Sequence, residues 1–260
     1  MNARAKRLRE YYKADGLASA LARALKFALG ISKGRRYKRF LASLDGRESS
    51  AVFTEIYAKR LWKGGKSDSG PGSELAYTEN LRFYLPVLFE RFGIRTIVDA
   101  ACGDFNWMRF VPLIREMSYV GIDIVPRIIA QNQRRYADDR RKFAVGNIVT
   151  DPLPTADMLI CRDCPFHLSN RDIILLLQNF VASNSAYLLT STHVNNGSFV
   201  NTDINTGHFR LLDLFSEPFC LPRNVHYCID DYVPPFPPRT MCLWDRVQIS
   251  SAIRELTGKF

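Results

Sequence analysis

Short apolar runs alternating with amphipathic stretches dominate the chain from residue 74 onward. Glu74–Phe92 carries Leu81, Leu85, Leu88 and Phe92 at helical spacing and stops at Gly93, which predicts a helix. Thr96–Val98, Ser118–Ile124, Lys142–Asn147, Asp157–Arg162 and Ala186–Thr192 read as five successive strands. Pro126 stands where a helix begins after the second, because its fixed φ suits a first turn. Ser169–Ser183 is the clearest helix, capped by Ser169 or Asn170. Val225–Asp231 and Thr240–Ile249 read as strands six and seven, with Pro234–Pro238 a stiff turn between them. Strands alternating with helices predict an α/β fold: a seven-stranded, mostly parallel Rossmann-like sheet with helices on both faces. Upstream, Phe53–Trp62 reads as helical and runs into a Gly/Ser-rich stretch ending at Ser73, expected to act as a lid.

The first strand ends in Asp99-Ala-Ala-Cys-Gly-Asp-Phe-Asn-Trp107, with an amphipathic stretch expected from Asn106. A dinucleotide loop needs glycines that let the backbone approach a pyrophosphate at a helix N-terminus. Here Ala101, Gly103 and Asn106 hold those positions, and Asp104 places a carboxylate in the loop. That charge repels a phosphate and tolerates a ligand bearing a sulfonium and an ammonium. Asp123 follows Asp99 by 24 residues at the end of the second strand. One carboxylate at that position can accept hydrogen bonds from both hydroxyls of a ribose. Asn147 and Asp163 supply polar groups after strands three and four.

This series resembles the motifs of class I S-adenosylmethionine-dependent methyltransferases, whose first motif is an acid followed by Gly-x-Gly-x-Gly. Asp99 matches the acid and Gly103 the middle glycine; Ala101 and Phe105 replace the outer two. The resemblance implies S-adenosyl-L-methionine as cofactor, with contacts from Asp99, Ala101, Gly103, Asp104, Asp123, Ile124, Asn147, Ile148 and Asp163, Asn147 lying near the adenine amino group. From Phe53 through Trp244 the chain also resembles a group of these enzymes associated with cell-surface and viral glycan assembly. That likeness rests on Trp62 with Ser69–Ser73, Asp99–Trp107, Asp163–Ser169 and Asn201–Gly207. It implies O-methylation of a sugar hydroxyl, and amides and carboxylates of the 193–208 insertion suit vicinal diols.

An alcohol is a poor nucleophile near neutral pH, so it calls for a general base or a metal. His167 is the expected base, oriented by Asp163 four residues before it. No metal site is expected; the alternative is a metal held by Asp163 with Asn195 or Asn196, and His193 or His208 are the next candidates for base. The Asp163-Cys-Pro-Phe166 loop lacks the Asn-Pro-Pro-Tyr pattern of amine methylation.

Charge changes the picture only at the N-terminus. Residues 1–40 hold twelve of the 36 Lys/Arg but two of the 26 acids, leaving the remainder formally neutral with 24 of each. We read 1–48 as a basic helical arm and 49–260 as the methyltransferase domain, with 49–73 its lid. Leu17–Leu29 forms an apolar stripe interrupted by Arg23 and Lys26, with Gly30–Gly34 a break after it. The arm is suited to lie on an anionic membrane or to dock on the domain. Six cysteines in no zinc spacing and no apolar run of spanning length favour a cytoplasmic protein, with peripheral contact at the inner membrane face. An RNA methyltransferase using the arm on phosphates, and a non-catalytic Rossmann-like partner subunit, are the competing readings.

Overall fold

The computed structural model describes residues 35–63 and 65–257. The chain divides into two units, with the boundary between Asp45 and Gly46. In the first, residues 35–42 are helical. The Leu17–Leu29 helix and the Gly30–Gly34 break lie outside the described residues.

The second unit is built on seven strands: β1 (Thr96–Ala100), β2 (Ser118–Asp123), β3 (Arg141–Val145), β4 (Met158–Cys161), β5 (Tyr187–His193), β6 (Tyr227–Asp230) and β7 (Arg239–Asp245). Their order is β3-β2-β1-β4-β5-β7-β6. β1 to β5 are parallel, while β7 runs antiparallel to both β5 and β6. β4 is buried along its whole length, whereas β3, at one edge, buries Phe143 alone. This contrast follows from covering a central parallel strand on both faces.

Among the described residues this unit has five α-helices: α1 (Ser49–Ala58), α2 (Glu79–Arg91), α3 (Pro126–Tyr136), α4 (Asn170–Ala182) and α5 (Arg246–Thr257). α2 buries Leu81, Leu85, Leu88 and Phe89. It starts later than Glu74, because the Glu74 carboxylate turns back to accept hydrogen bonds from the Lys66 and Ser67 backbone N–H groups at 2.7 and 2.8 Å. α4 buries Ile173, Leu176, Leu177 and Phe180, and Ser169 caps it by accepting from the Asp172 N–H. Pro126 opens α3.

Three expectations fail. The helix before the lid runs over Ser49–Ala58, so Trp62 lies beyond it in a turn. No α-helix follows β1: residues 101–117 form an irregular plug with one short turn at Met108–Phe110. Gly103 and Phe105 both adopt left-handed φ values, +55° and +56°, which breaks the helical path. Phe105, Trp107, Met108 and Val111 then fold inward. The Phe105 ring lies 5.1 Å from both Tyr119 and Phe143, and such a buried aromatic contributes roughly 1.5–3 kcal/mol. The seventh strand ends at Asp245, not Ile249, because Asp245 and Gln248 make a reciprocal capping box that starts α5. Gln248 N–H donates to Asp245 Oδ1 at 2.8 Å, and Asp245 N–H to Gln248 Oε1 at 3.0 Å.

Candidate functional site

The carboxyl ends of β1, β2, β3 and β4 gather Gly103, Asp123, Asn147 and Asp163 along one edge of the sheet. Gly103 N–H donates to Asp123 Oδ2 and Val125 N–H to Asp123 Oδ1, each at 3.0 Å. Asn132 of α3 donates to the Gly103 carbonyl at 2.8 Å. Asp123 thereby shapes the loop as well as presenting an acidic group beneath it. Burial pushes its carboxyl up to about 6, opposed by the backbone donors. Asp99 is buried and accepts from the Tyr119 hydroxyl at 2.7 Å. Burial raises it to about 7.

The lid lies on this loop. Asp104, an expected cofactor contact, holds the lid in this structure: Oδ2 accepts from the Ser67 hydroxyl at 2.9 Å and from the Asp68 N–H at 2.8 Å. Asp104 N–H donates to Ser69 Oγ, which also lies 2.9 Å from the Tyr57 hydroxyl. A β-carbon on Gly103 would collide with the Ser69 hydroxyl. Two hydroxyls, from Tyr57 and Ser69, therefore cover the glycine loop close to Asp123. The Asn147 side-chain oxygen accepts from the Val149 N–H at 3.0 Å, holding the turn after β3. Ile148 is buried there, while Ala101 and Ile124 are half-buried.

Past β4, Asp163 takes a left-handed φ of +57° and donates its N–H to Ser191 Oγ of β5 at 3.0 Å. Its carboxylate pairs with Arg239 at 3.0 Å and Arg162 at 3.4 Å. Burial works to raise this carboxyl, but the two guanidinium groups hold it below the usual range. Arg162 also forks onto Asp231 with two bonds of 2.9 Å and donates to the Gly72 carbonyl at 2.8 Å. Arg239 Nε donates to the Asp231 carbonyl at 3.0 Å. A β-carbon on Gly72 would stand 2.6 Å from Asp163 Oδ2, so a larger residue there would displace the Asp163 carboxylate from its present place.

Asp163 does not orient His167. The imidazole Nδ1 instead meets the His208 carbonyl at 2.8 Å, so Nδ1 carries the proton and Nε2 keeps a lone pair. The ring stacks on Trp62 at 4.6 Å and neighbours Phe166 and Phe209. Burial pushes its pKa down to about 4. His193 has the opposite tautomer: its Nδ1 accepts from the Leu212 N–H at 3.1 Å. It too is lowered to about 4 by burial. In the insertion, Asn195 and Asn201 use their amides to hold their own loops, on Phe199 and on Asp213 and Glu217. Among the described residues, no three His, Cys, Asp or Glu form a metal cluster.

The Arg162–Asp231–Arg239 network was not foreseen from the sequence, nor were the Tyr57 and Ser69 hydroxyls over Gly103. No family profile and no curated protein matches the chain. Among solved structures, magnesium protoporphyrin IX methyltransferase from Synechocystis PCC 6803 is similar with a TM-score of 0.53 at 10% identity, covering 75% of this chain and 99% of that one. Human N-acetylserotonin methyltransferase is similar with a TM-score of 0.50 at 12% identity over 76% of this chain. The chain spans 60% of the human enzyme's length. The fold is that of class I S-adenosylmethionine-dependent methyltransferases.

Proposed function

We propose that this protein is an S-adenosylmethionine-dependent methyltransferase that transfers a methyl group to a sugar hydroxyl of a glycan or glycolipid. The observation that carries the reading is the bond from Gly103 N–H to Asp123 at the carboxyl ends of β1 and β2. It joins a close-approach glycine to an acidic acceptor where this fold binds its cofactor. The donor set fits: Asp123 provides acceptor capacity for hydroxyl groups, and the loop carries an acid rather than a base. Both similar structures contain the cofactor or its demethylated product, S-adenosylhomocysteine. Binding requires residues 67–69 to withdraw from Gly103, which is the work expected of a lid.

The bound cofactor supplies an electrophilic methyl group. The protein's part is to place the acceptor hydroxyl in line with it and to take up the hydroxyl proton. His167 Nε2 is the base, held in its tautomer by the His208 carbonyl. Phe209, exposed beside His167, presents an apolar face to a sugar ring. The buried Trp62 indole N–H, which bonds nothing among the described residues, provides a donor for an acceptor oxygen. Residues 1–40 bring the enzyme to anionic membrane surfaces, where glycolipid acceptors reside. Among the described residues, no helix is long and apolar enough to cross a membrane.

One observation favours a second reading, a non-catalytic partner subunit: the Tyr57 and Ser69 hydroxyls already cover Gly103. Titrating S-adenosylhomocysteine by calorimetry, then offering saccharide, glycolipid and RNA acceptors with labelled S-adenosylmethionine, separates the alternatives. Binding with label on a saccharide supports the proposal. No binding supports the partner subunit, and label on RNA alone overturns the acceptor assignment.

A further inference from the structure

β6 and β7 form the outer hairpin of the sheet, and each places a cysteine on the same rung, Cys228 opposite Cys242. Asp231 N–H donates to the Arg239 carbonyl at 2.9 Å, which makes that pair a hydrogen-bonded rung. Because rungs alternate, Cys228 and Cys242 fall on a non-hydrogen-bonded one, where side chains approach most closely. Their sulfurs lie 2.8 Å apart. β6 is the edge strand, so Cys228 is exposed, while Cys242 is buried behind it.

We propose that Cys228 and Cys242 form a redox-modification site, a dithiol that low-molecular-weight disulfides convert to an intramolecular cross-strand disulfide. The Cys228 thiolate attacks one sulfur of the small disulfide, forming a mixed disulfide and releasing one small thiolate, which takes up a proton. Cys242 then gives its proton to solvent, attacks the Cys228 sulfur and expels the second small thiol. Two protein thiols are oxidised, and one small disulfide is reduced to two thiols. The order follows from the environment. The hydrogen bond with Cys242 lowers the Cys228 pKa, against burial and Asp230, and a thiolate is the attacking species. The same contact, with burial, raises Cys242, which reacts second and only with the sulfur beside it.

The closed ring contains Asp231 and Arg239, so oxidation cross-links the hairpin that supplies half of the buried charge cluster at Asp163. It also removes freedom from the unfolded chain. The site does not depend on the methyltransferase reading, since its readouts are thiol chemistry and stability.

The test incubates the full chain with oxidised glutathione, blocks remaining thiols with iodoacetamide and maps peptides without reductant. A Cys228–Cys242 linkage, a melting temperature raised by roughly 5–10 °C and reversal by dithiothreitol support the proposal. Cys242→Ser should leave Cys228 trapped as a stable glutathione adduct. Should that buried change prevent folding, Cys228→Ser at the exposed position should leave Cys242 unreactive in the folded chain. A persistent glutathione adduct on Cys228 of the unaltered protein, modification of exposed Cys220 with Cys228 left free, or reaction of Cys242 in Cys228→Ser overturns it.

Discussion

Tyr119 donates its hydroxyl hydrogen to Asp99 across the β1–β2 pair, 2.7 Å from oxygen to oxygen. The bond favours the carboxylate, yet burial outweighs it and raises Asp99 to about 7. Unfolded, the same group has a pKa of about 3.9. Between those values the native chain holds a proton that the unfolded chain has released, so stability falls as pH rises. Asp99→Asn keeps an acceptor for Tyr119 and removes that dependence. At pH 8 the variant should be more stable by on the order of a few kcal/mol, the gap closing by about pH 4. Thermal scans from pH 4 to 8 check this; parallel curves refute it.

Asp123 is predicted to hold the cofactor ribose. Asp123→Ala removes a charged acceptor contributing roughly 1.5–3 kcal/mol, so affinity for S-adenosylhomocysteine should fall at least about tenfold. Since Asp123 also accepts from Gly103 and Val125, circular dichroism should establish that the sheet is retained. Unaltered affinity removes the cofactor assignment.

Gly103→Val sets a branched side chain against Ser69, at a backbone φ of +55°. The lid should no longer seat, and limited proteolysis should cut within residues 65–73 many times faster than in the unaltered chain. Cofactor binding should be lost with it. A lid that stays protected in this variant contradicts the packing described above.

His167 titrates low, near 4, because burial disfavours the imidazolium. It is therefore neutral throughout pH 5 to 8, and a weaker base than an ordinary imidazole. His167→Ala should lower turnover by about 10²–10⁴-fold while sparing cofactor affinity. The acid limb of kcat/KM in the unaltered enzyme should fall near pH 4, not near the ordinary histidine value of about 6.5. Near-normal turnover in the variant moves the role to another group.

What the sequence revealed and what it hid divides along chain separation. The five parallel strands were legible to within one or two residues, the central ones because burial on both faces demands continuous apolar side chains, and the edge strand β3 with only Phe143 buried. Asp99, Gly103, Asp123 and Asp163 were legible because each sits at a strand end, a local feature. The plug at 101–117 was not, because Phe105 and Trp107 obey the core beneath them and not a helical period. α5 went unread although Asp245 and Gln248 form a recognisable capping box. The Arg162–Asp231 fork joins residues 69 apart, and nothing near either one announces the other.

The strap at 67–73 is fastened at both ends: Asp104 grips Ser67 and Asp68 beside β1, and Arg162 grips the Gly72 carbonyl beside β4. A molecule that lifts the strap from Gly103 therefore also loosens the ceiling over Asp163. On the proposed function, loading is expected to be sequential, with the ligand on the β1–β2 side admitted first and its spent form discharged last. If unfastening of the strap limits the proposed turnover, a viscous solvent should slow it even where the chemical step is untouched.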